Sequence, residues 1–167
     1  MIVIFECPDG AGKTTLAEQV AEATGAVYIH ACEPERHPLV EYTAPLDLKK
    51  DYVLDRWHLG EIVYGPLYRG GSGLTAEQFW AVEQYLDERG AIVVLCNGRT
   101  EELVTRLRAR GEDPVAMKLS TEASEFTKVS RRSILPVFNS PVGMEMTADE
   151  VIQAAREQEA RRAVDAA

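Results

Sequence analysis

An α/β fold with a parallel sheet covered by helices on both faces is what this chain predicts, and three observations carry the prediction. Short apolar runs of β type alternate with segments of helical period along the whole length. The first run, Ile2-Val3-Ile4-Phe5, feeds a glycine-bearing turn that opens a helical pattern. The run Ala91-Ile92-Val93-Val94-Leu95-Cys96 is apolar without a break, as a strand buried on both faces should be.

The elements follow in order. After the turn, residues 13–24 read as a helix: Leu16, Ala17, Val20 and Ala21 share a face, and Gly25 is placed to cap it. Ala26 to His30 is a compact strand, followed by a loop marked by Pro34 and Pro38. Residues 39–49 are weakly helical. Tyr52-Val53-Leu54-Asp55 is a strand ending in a carboxylate, and Trp57 to Tyr64 form a helical turn or two. Arg69-Gly70-Gly71-Ser72-Gly73 reads as a loop. Thr75-Ala76-Glu77-Gln78 is a capping box, opening a helix to about Arg89 with Phe79, Val82 and Leu86 inward. Thr100 to Arg110 forms the next helix, residues 120–135 another closed by Pro136, and 142–146 a last short strand. A second capping box, Thr147 to Glu150, opens a terminal helix to about Val164.

A length of 167 residues with 46% apolar and 27% charged residues suits one soluble domain, expected to span 1–167. No run of 18 apolar residues exists, so no membrane span is expected. The N-terminus lacks the basic region of a signal peptide. Cys7, Cys32 and Cys96 form no Cys-x-x-Cys pair and are odd in number, which reads as a reduced, cytoplasmic protein. His30, His37 and His58 have no metal-ligand spacing. A net charge of −9 disfavours long-range attraction to DNA or to anionic membranes, while a local anion site remains compatible with it.

That anion site is the turn itself. Backbone N–H groups of Gly10, Ala11 and Gly12, and those opening the following helix, have no internal partner and converge where the helix dipole is positive. Lys13 adds a full charge toward the outer phosphates of a nucleoside triphosphate, and the Thr14 hydroxyl is placed to ligate Mg²⁺. The pattern Gly-x-x-x-x-Gly-Lys-Thr has one departure, Cys7 at its first glycine. In a parallel sheet the residues just past the strand ends face the ligand crevice, so Asp55 and Arg56 should lie beside this loop. Asp55 could bind Mg²⁺ or its waters, or take a proton from an acceptor. Arg56 could clamp an acceptor phosphate in a bidentate grip.

These residues carry a resemblance. Phe5-Glu6-Cys7-Pro8-Asp9-Gly10-Ala11-Gly12-Lys13-Thr14-Thr15 resembles the thymidylate kinase signature Phe-Glu-Gly-x-Asp-Gly-x-Gly-Lys-[Ser/Thr]-Thr. Glu33-Pro34, Asp55-Arg56-Trp57, Tyr68-Arg69-Gly70 and Arg108-Ala109-Arg110-Gly111 are similar to later motifs of that family, in the same order. The wording around 55–70 resembles its compact phage and actinobacterial members. The resemblance implies a three-layer P-loop kinase fold of about five parallel strands with a small lid near residues 106–120. It implies ATP and Mg²⁺ on Asp9 to Thr15, with Thr14 and Asp55 toward the metal. The implied acceptor is a deoxynucleoside monophosphate, a pyrimidine such as dTMP or a modified relative. Asp9 would stand between donor and acceptor sugar. Arg56 would hold the acceptor phosphate, with Glu33, Trp57, Tyr64, Tyr68 and Arg69 around the acceptor.

Gly10 stands where some members carry an arginine, so the transition-state arginine should come from the lid, from Arg106, Arg108 or Arg110. Arg106 and Arg110 share a helix face; Arg108 points elsewhere if the helix persists. Val63-Tyr64-Gly65 stands in place of the family's Ala-Tyr-Gln, so a polar side chain expected near the base is missing. A deoxynucleoside kinase, a kinase of a hydroxymethyl-pyrimidine free or in DNA, and a nucleotide-binding switch with weak ATPase activity remain open, as does a homodimer.

Overall fold

The computed structural model describes residues 1–32, 37–96, 98–113, 118–140 and 146–165. Five strands, β1 (Ile2–Glu6), β2 (Val27–His30), β3 (Tyr52–Asp55), β4 (Ile92–Leu95) and β5 (Val137–Asn139), form a parallel sheet in the order β2-β3-β1-β4-β5. Strand β1 is central, and the chain winds from it to β3 on one side and β4 on the other. The crevice at its C-terminal end is therefore the ligand position of an open α/β sheet.

Period-two alternation sorts each strand between two layers. Ile2, Ile4, Tyr52, Leu54, Val93 and Leu95 face one core, shared with α2 (Pro38–Thr43), α3 (His58–Tyr68), α4 (Ala76–Glu88) and α6 (Leu119–Ser130). Val3, Phe5, Val53, Ile92 and Val94 face the other, packed by Ala17, Val20 and Ala21 of α1 (Lys13–Thr24) and by Val151 and Ala155 of α7 (Ala148–Asp165). Leu103 and Leu107 of α5 (Thr100–Ala109) join Leu119 in a third, smaller cluster. Among the described residues, no helix is long and apolar enough to cross a membrane.

The expected caps hold. Gly25 closes α1 at φ 71°, its N–H donating to Ala21 O at 2.9 Å, and Thr75 with Gln78 makes a reciprocal capping box. Thr147 and Glu150 bond likewise.

Three helix bounds differ from expectation, and a strand stands where none was expected. The fifth strand lies at Val137–Asn139; of residues 142–146, Met146 is in no strand and the rest lie outside the described residues. The helix expected to reach 135 ends at Ser130. The buried Glu83 carboxylate accepts from Ser133 Oγ and Ile134 N at 2.8 and 2.7 Å, turning the chain out of the helix and into β5. Helix α3 runs past Tyr64 to Tyr68 with Pro66 inside, and α2 stops at Thr43. The end of α2 is local, since Ala44-Pro45 follows it, whereas α3 continues through Pro66 against local propensity.

Candidate active site

The first shaping residue is Glu6, fully buried at the end of β1. Its Oε1 accepts from Trp57 N at 2.9 Å and Gly60 N at 3.0 Å. A carboxylate thus caps the start of α3 and fixes the chain just after Asp55-Arg56. Burial pushes the Glu6 carboxyl up, against the pull of those N–H groups. Glu6 was visible in the sequence only as part of a motif, because its partners lie some fifty positions away.

The loop from Cys7 to Gly12 needs its glycines. Gly10 and Gly12 have φ of 85° and 82°. A Cβ at Gly10 would meet Leu103 O at 3.2 Å and Leu107 Cγ at 3.3 Å, so α5 rests directly on the loop. Lys13 opens α1 and is buried, with Nζ 3.0 Å from Asp55 Oδ1. Asp55 Oδ2 accepts from Thr14 Oγ1 at 2.7 Å and Tyr28 Oη at 2.9 Å, and lies 2.9 Å from His30 Nδ1. Burial alone would raise the Asp55 carboxyl; the Lys13 charge and the Thr14 and His30 contacts outweigh it and hold it at about 2. Tyr28 and His30 were missed from the sequence. His30 stands opposite Asp55 in the β2–β3 register, so the strand-end reasoning applied to Asp55 would have found it.

Arg56 is the one non-glycine residue with positive φ, 62°, among the described residues. A side chain in that region costs about 1 kcal/mol or more, which the Arg56 N–H offsets by bonding Phe5 O at 2.9 Å. The guanidinium pairs with the Asp9 carboxylate and lies over the Tyr64 ring, 5.4 Å from its centroid. Tyr64 Oη donates to the Cys7 carbonyl at 3.1 Å, tying α3 to the loop.

Beyond Arg56 opens a cavity of about 200 Å³ lined by Tyr42, Trp57, Tyr64, Tyr68, Glu61 and Arg69 among others. Trp57 reaches it with one edge and is otherwise core, its Nε1 donating to Tyr42 O at 3.2 Å. Arg69 pairs with the buried Glu61 at 2.5 Å, and Glu61 also accepts from Gly73 N at 2.7 Å. Tyr68 donates to Glu122, a buried carboxylate of α6. Burial and this bond push the Tyr68 hydroxyl up to about 12. Glu122 itself is raised by burial, partly opposed by Tyr68, with the Asp9 charge adding to the rise. Glu61 and Glu122 carry no local signature in the sequence.

On the other side of the loop, a cavity of about 720 Å³ is lined by Gly10, Gly12, Thr15, Arg106 and Arg110, among others. Arg106 Nη1 lies 3.4 Å from where a Gly12 Cβ would be. Arg110 pairs with Glu112 at 2.9 Å, and both border the space over Asp9 to Thr15. Arg108 lines neither space. The shared face of Arg106 and Arg110 thus turns to the loop. Glu33, and residues 114–117 of the expected lid, lie outside the described residues.

The arrangement is that of a P-loop kinase fold, and solved structures share it. The chain superposes on YorR from Bacillus subtilis, solved in complex with phosphorylated GDP, with a TM-score of 0.73 at 17% identity, covering 99% of this chain and 97% of that one. Deoxyadenosine kinase from M. mycoides with bound dATP matches at 0.59 and 13%, covering 93% and 99%. A gluconokinase from Sinorhizobium meliloti matches at 0.57 and 16%, covering 98% and 93%. No protein-family model and no curated protein sequence matches the chain.

Proposed function

We propose that this protein is an ATP-dependent phosphotransferase whose acceptor is a deoxynucleoside monophosphate, a pyrimidine such as dTMP or a modified relative. The observation that carries the reading is the paired arrangement on either side of one loop. Lys13, Thr14 and Asp55 are bonded together at its donor end, and Arg56 is held against Asp9 at its acceptor end.

In this reading the Gly10–Thr15 backbone holds the ATP phosphates through its convergent N–H groups. Lys13 turns from Asp55 to the outer phosphates and spreads their charge. Thr14 and Asp55, a hydroxyl and a carboxylate 2.7 Å apart, are the donor set that would hold Mg²⁺. When bound, the ion neutralises phosphate charge. Arg56 exchanges Asp9 for the acceptor phosphate, and the acceptor oxygen attacks the γ-phosphorus in line as ADP leaves. Arg106 and Arg110 face the transferred group across the loop, and α5, which rests on the loop, shields it from water. Tyr64 and Tyr68 wall the acceptor base.

A second reading, with a deoxynucleoside hydroxyl as acceptor, is favoured by one observation. Both guanidiniums of the acceptor cavity, Arg56 and Arg69, are paired with carboxylates, and the buried Glu122 adds another acid nearby. A dianionic phosphate gains less there than a neutral hydroxyl does. The similarity to a deoxyadenosine kinase is compatible with it. The net charge of −9 argues against an acceptor within DNA.

The test incubates the protein with ATP and Mg²⁺ and offers deoxynucleosides, their monophosphates and hydroxymethyl-pyrimidine DNA, with products identified by mass. Diphosphates from monophosphates support the first reading, and phosphomonoesters from nucleosides the second. ATP hydrolysis with every acceptor unchanged would sink both in favour of a nucleotide switch.

A further inference from the structure

The first position of the phosphate loop holds Cys7 where the motif has glycine, and the proposed transfer makes no use of its thiol. Strands β1 and β4 pair in parallel with Glu6 opposite Leu95, and Cys96 N donates to the Glu6 carbonyl at 3.1 Å. The register therefore sets Cys7 beside Cys96 as both chains leave the sheet. The two thiols are free and buried, and both belong to one apolar cluster. Cys7 is fully enclosed, whereas Cys96 is 5% exposed and lines the large cavity with Gly10 and Gly12. One sulfur is reachable from the nucleotide side, and its partner stands directly behind it.

We propose that Cys7 and Cys96 form a reversible disulfide that switches off nucleotide binding, with hydrogen peroxide as the oxidant. The Cys96 sulfur attacks the peroxide O–O bond and keeps one oxygen as a sulfenic acid, while the other leaves as water. The Cys7 sulfur then displaces that oxygen as a second water, and the S–S bond forms. Two thiols lose two protons and two electrons, and the peroxide is reduced to two waters. Burial and the neighbouring Cys96 push the Cys7 thiol up, which leaves the first step to Cys96 on the cavity side.

The consequence for the loop is geometric. Neighbouring strands stand about 4.8 Å apart, within the roughly 4.4–6.8 Å between Cα atoms that a disulfide spans. Closing the bond pins the first loop residue to β4. The loop, tied by Tyr64 Oη at the Cys7 carbonyl and now also at its side chain, can no longer adjust so that the N–H groups of Gly10 to Gly12 close on phosphates.

The experiment uses the full chain with Cys32→Ser, which removes the exposed third thiol. Protein free of nucleotide is treated with peroxide, then read by peptide mapping and by titration with a fluorescent ATP analogue. The expected result is a Cys7–Cys96 linked peptide and a roughly tenfold or greater loss of affinity, both reversed by dithiothreitol. MgATP present during treatment slows the linkage by covering Cys96. Adding Cys96→Ala leaves the protein, after peroxide, with the affinity that the same variant shows in reductant. Recovery of the two cysteines unlinked overturns the proposal, and so does a linked protein that binds as tightly as the reduced one. A reduced protein that binds no analogue overturns the kinase reading and the switch together, but leaves the mapped linkage as a separate result.

Discussion

The donor and acceptor sides of this site are built differently. On the donor side, Asp55 gathers Lys13, Thr14, Tyr28 and His30 on two oxygens, and each contact lies between 2.7 and 3.0 Å. On the other side charges are paired, yet Arg56 Nε is buried with no hydrogen-bond partner among the described residues; Asp55 Oδ1 accepts no hydrogen bond either, but it holds Lys13 Nζ at 3.0 Å. Arg56 also sits in left-handed backbone. The side around Asp55 is therefore preorganised, while the side around Arg56 keeps a buried guanidinium N–H, on a residue that borders a cavity, for a bound molecule to satisfy. Strain and unmet polar groups cluster where a ligand is to be exchanged.

Four substitutions probe that contrast, beginning with the largest expected effect. Lys13→Ala removes the charge nearest the transferred group and should lower kcat by about a thousandfold. Steady-state rates with saturating ATP check it, and a loss under tenfold would move catalysis away from the donor side. Arg56→Ala should lower kcat/KM for the acceptor by about a hundredfold while leaving ATP affinity within about twofold. Equal losses in ATP and acceptor binding would show that the two sides are not separable.

Asp55→Asn comes third. The wild-type carboxyl is held below its ordinary 3.8, at about 2. A depressed folded value contributes stability above the unfolded value, and that contribution disappears as pH falls through about 2. The shift corresponds to about 2 kcal/mol. Urea midpoints measured from pH 5 downward should therefore fall more steeply for wild type than for the variant. Parallel curves would mean that Asp55 is not held as described.

Glu122→Gln is the smallest change, since the amide oxygen can still accept from Tyr68. Losing a negative charge close to Asp9 and Arg56 should lower KM for a monophosphate acceptor by about threefold and leave a nucleoside KM unchanged. The sign of that difference separates the two acceptor readings independently of product analysis.

The same division governs how much of the site could be read before folding. Residues 9–15 are contiguous, and a strand, a glycine turn and a lysine at helix start leave little freedom in what they form. Asp55 and Arg56 were legible because a strand end in a parallel sheet has one side to face. Helix phase turned Arg106 and Arg110 together, away from Arg108. Glu6, Glu61 and Glu122 were not legible in these roles. Each is a single acid whose partner lies on another element, and nothing in its neighbours marks it as buried.

The sequence by itself determined the parallel α/β architecture and the phosphate loop, because apolar period and turn chemistry are local properties. It missed the strand Val137–Asn139, for Glu83 decides where α6 ends and that contact joins residues about fifty positions apart. Tertiary structure alone decided what surrounds the acceptor and what stands beside Cys7. Burial and strand register set those neighbours, and neither is a property of any single stretch of chain.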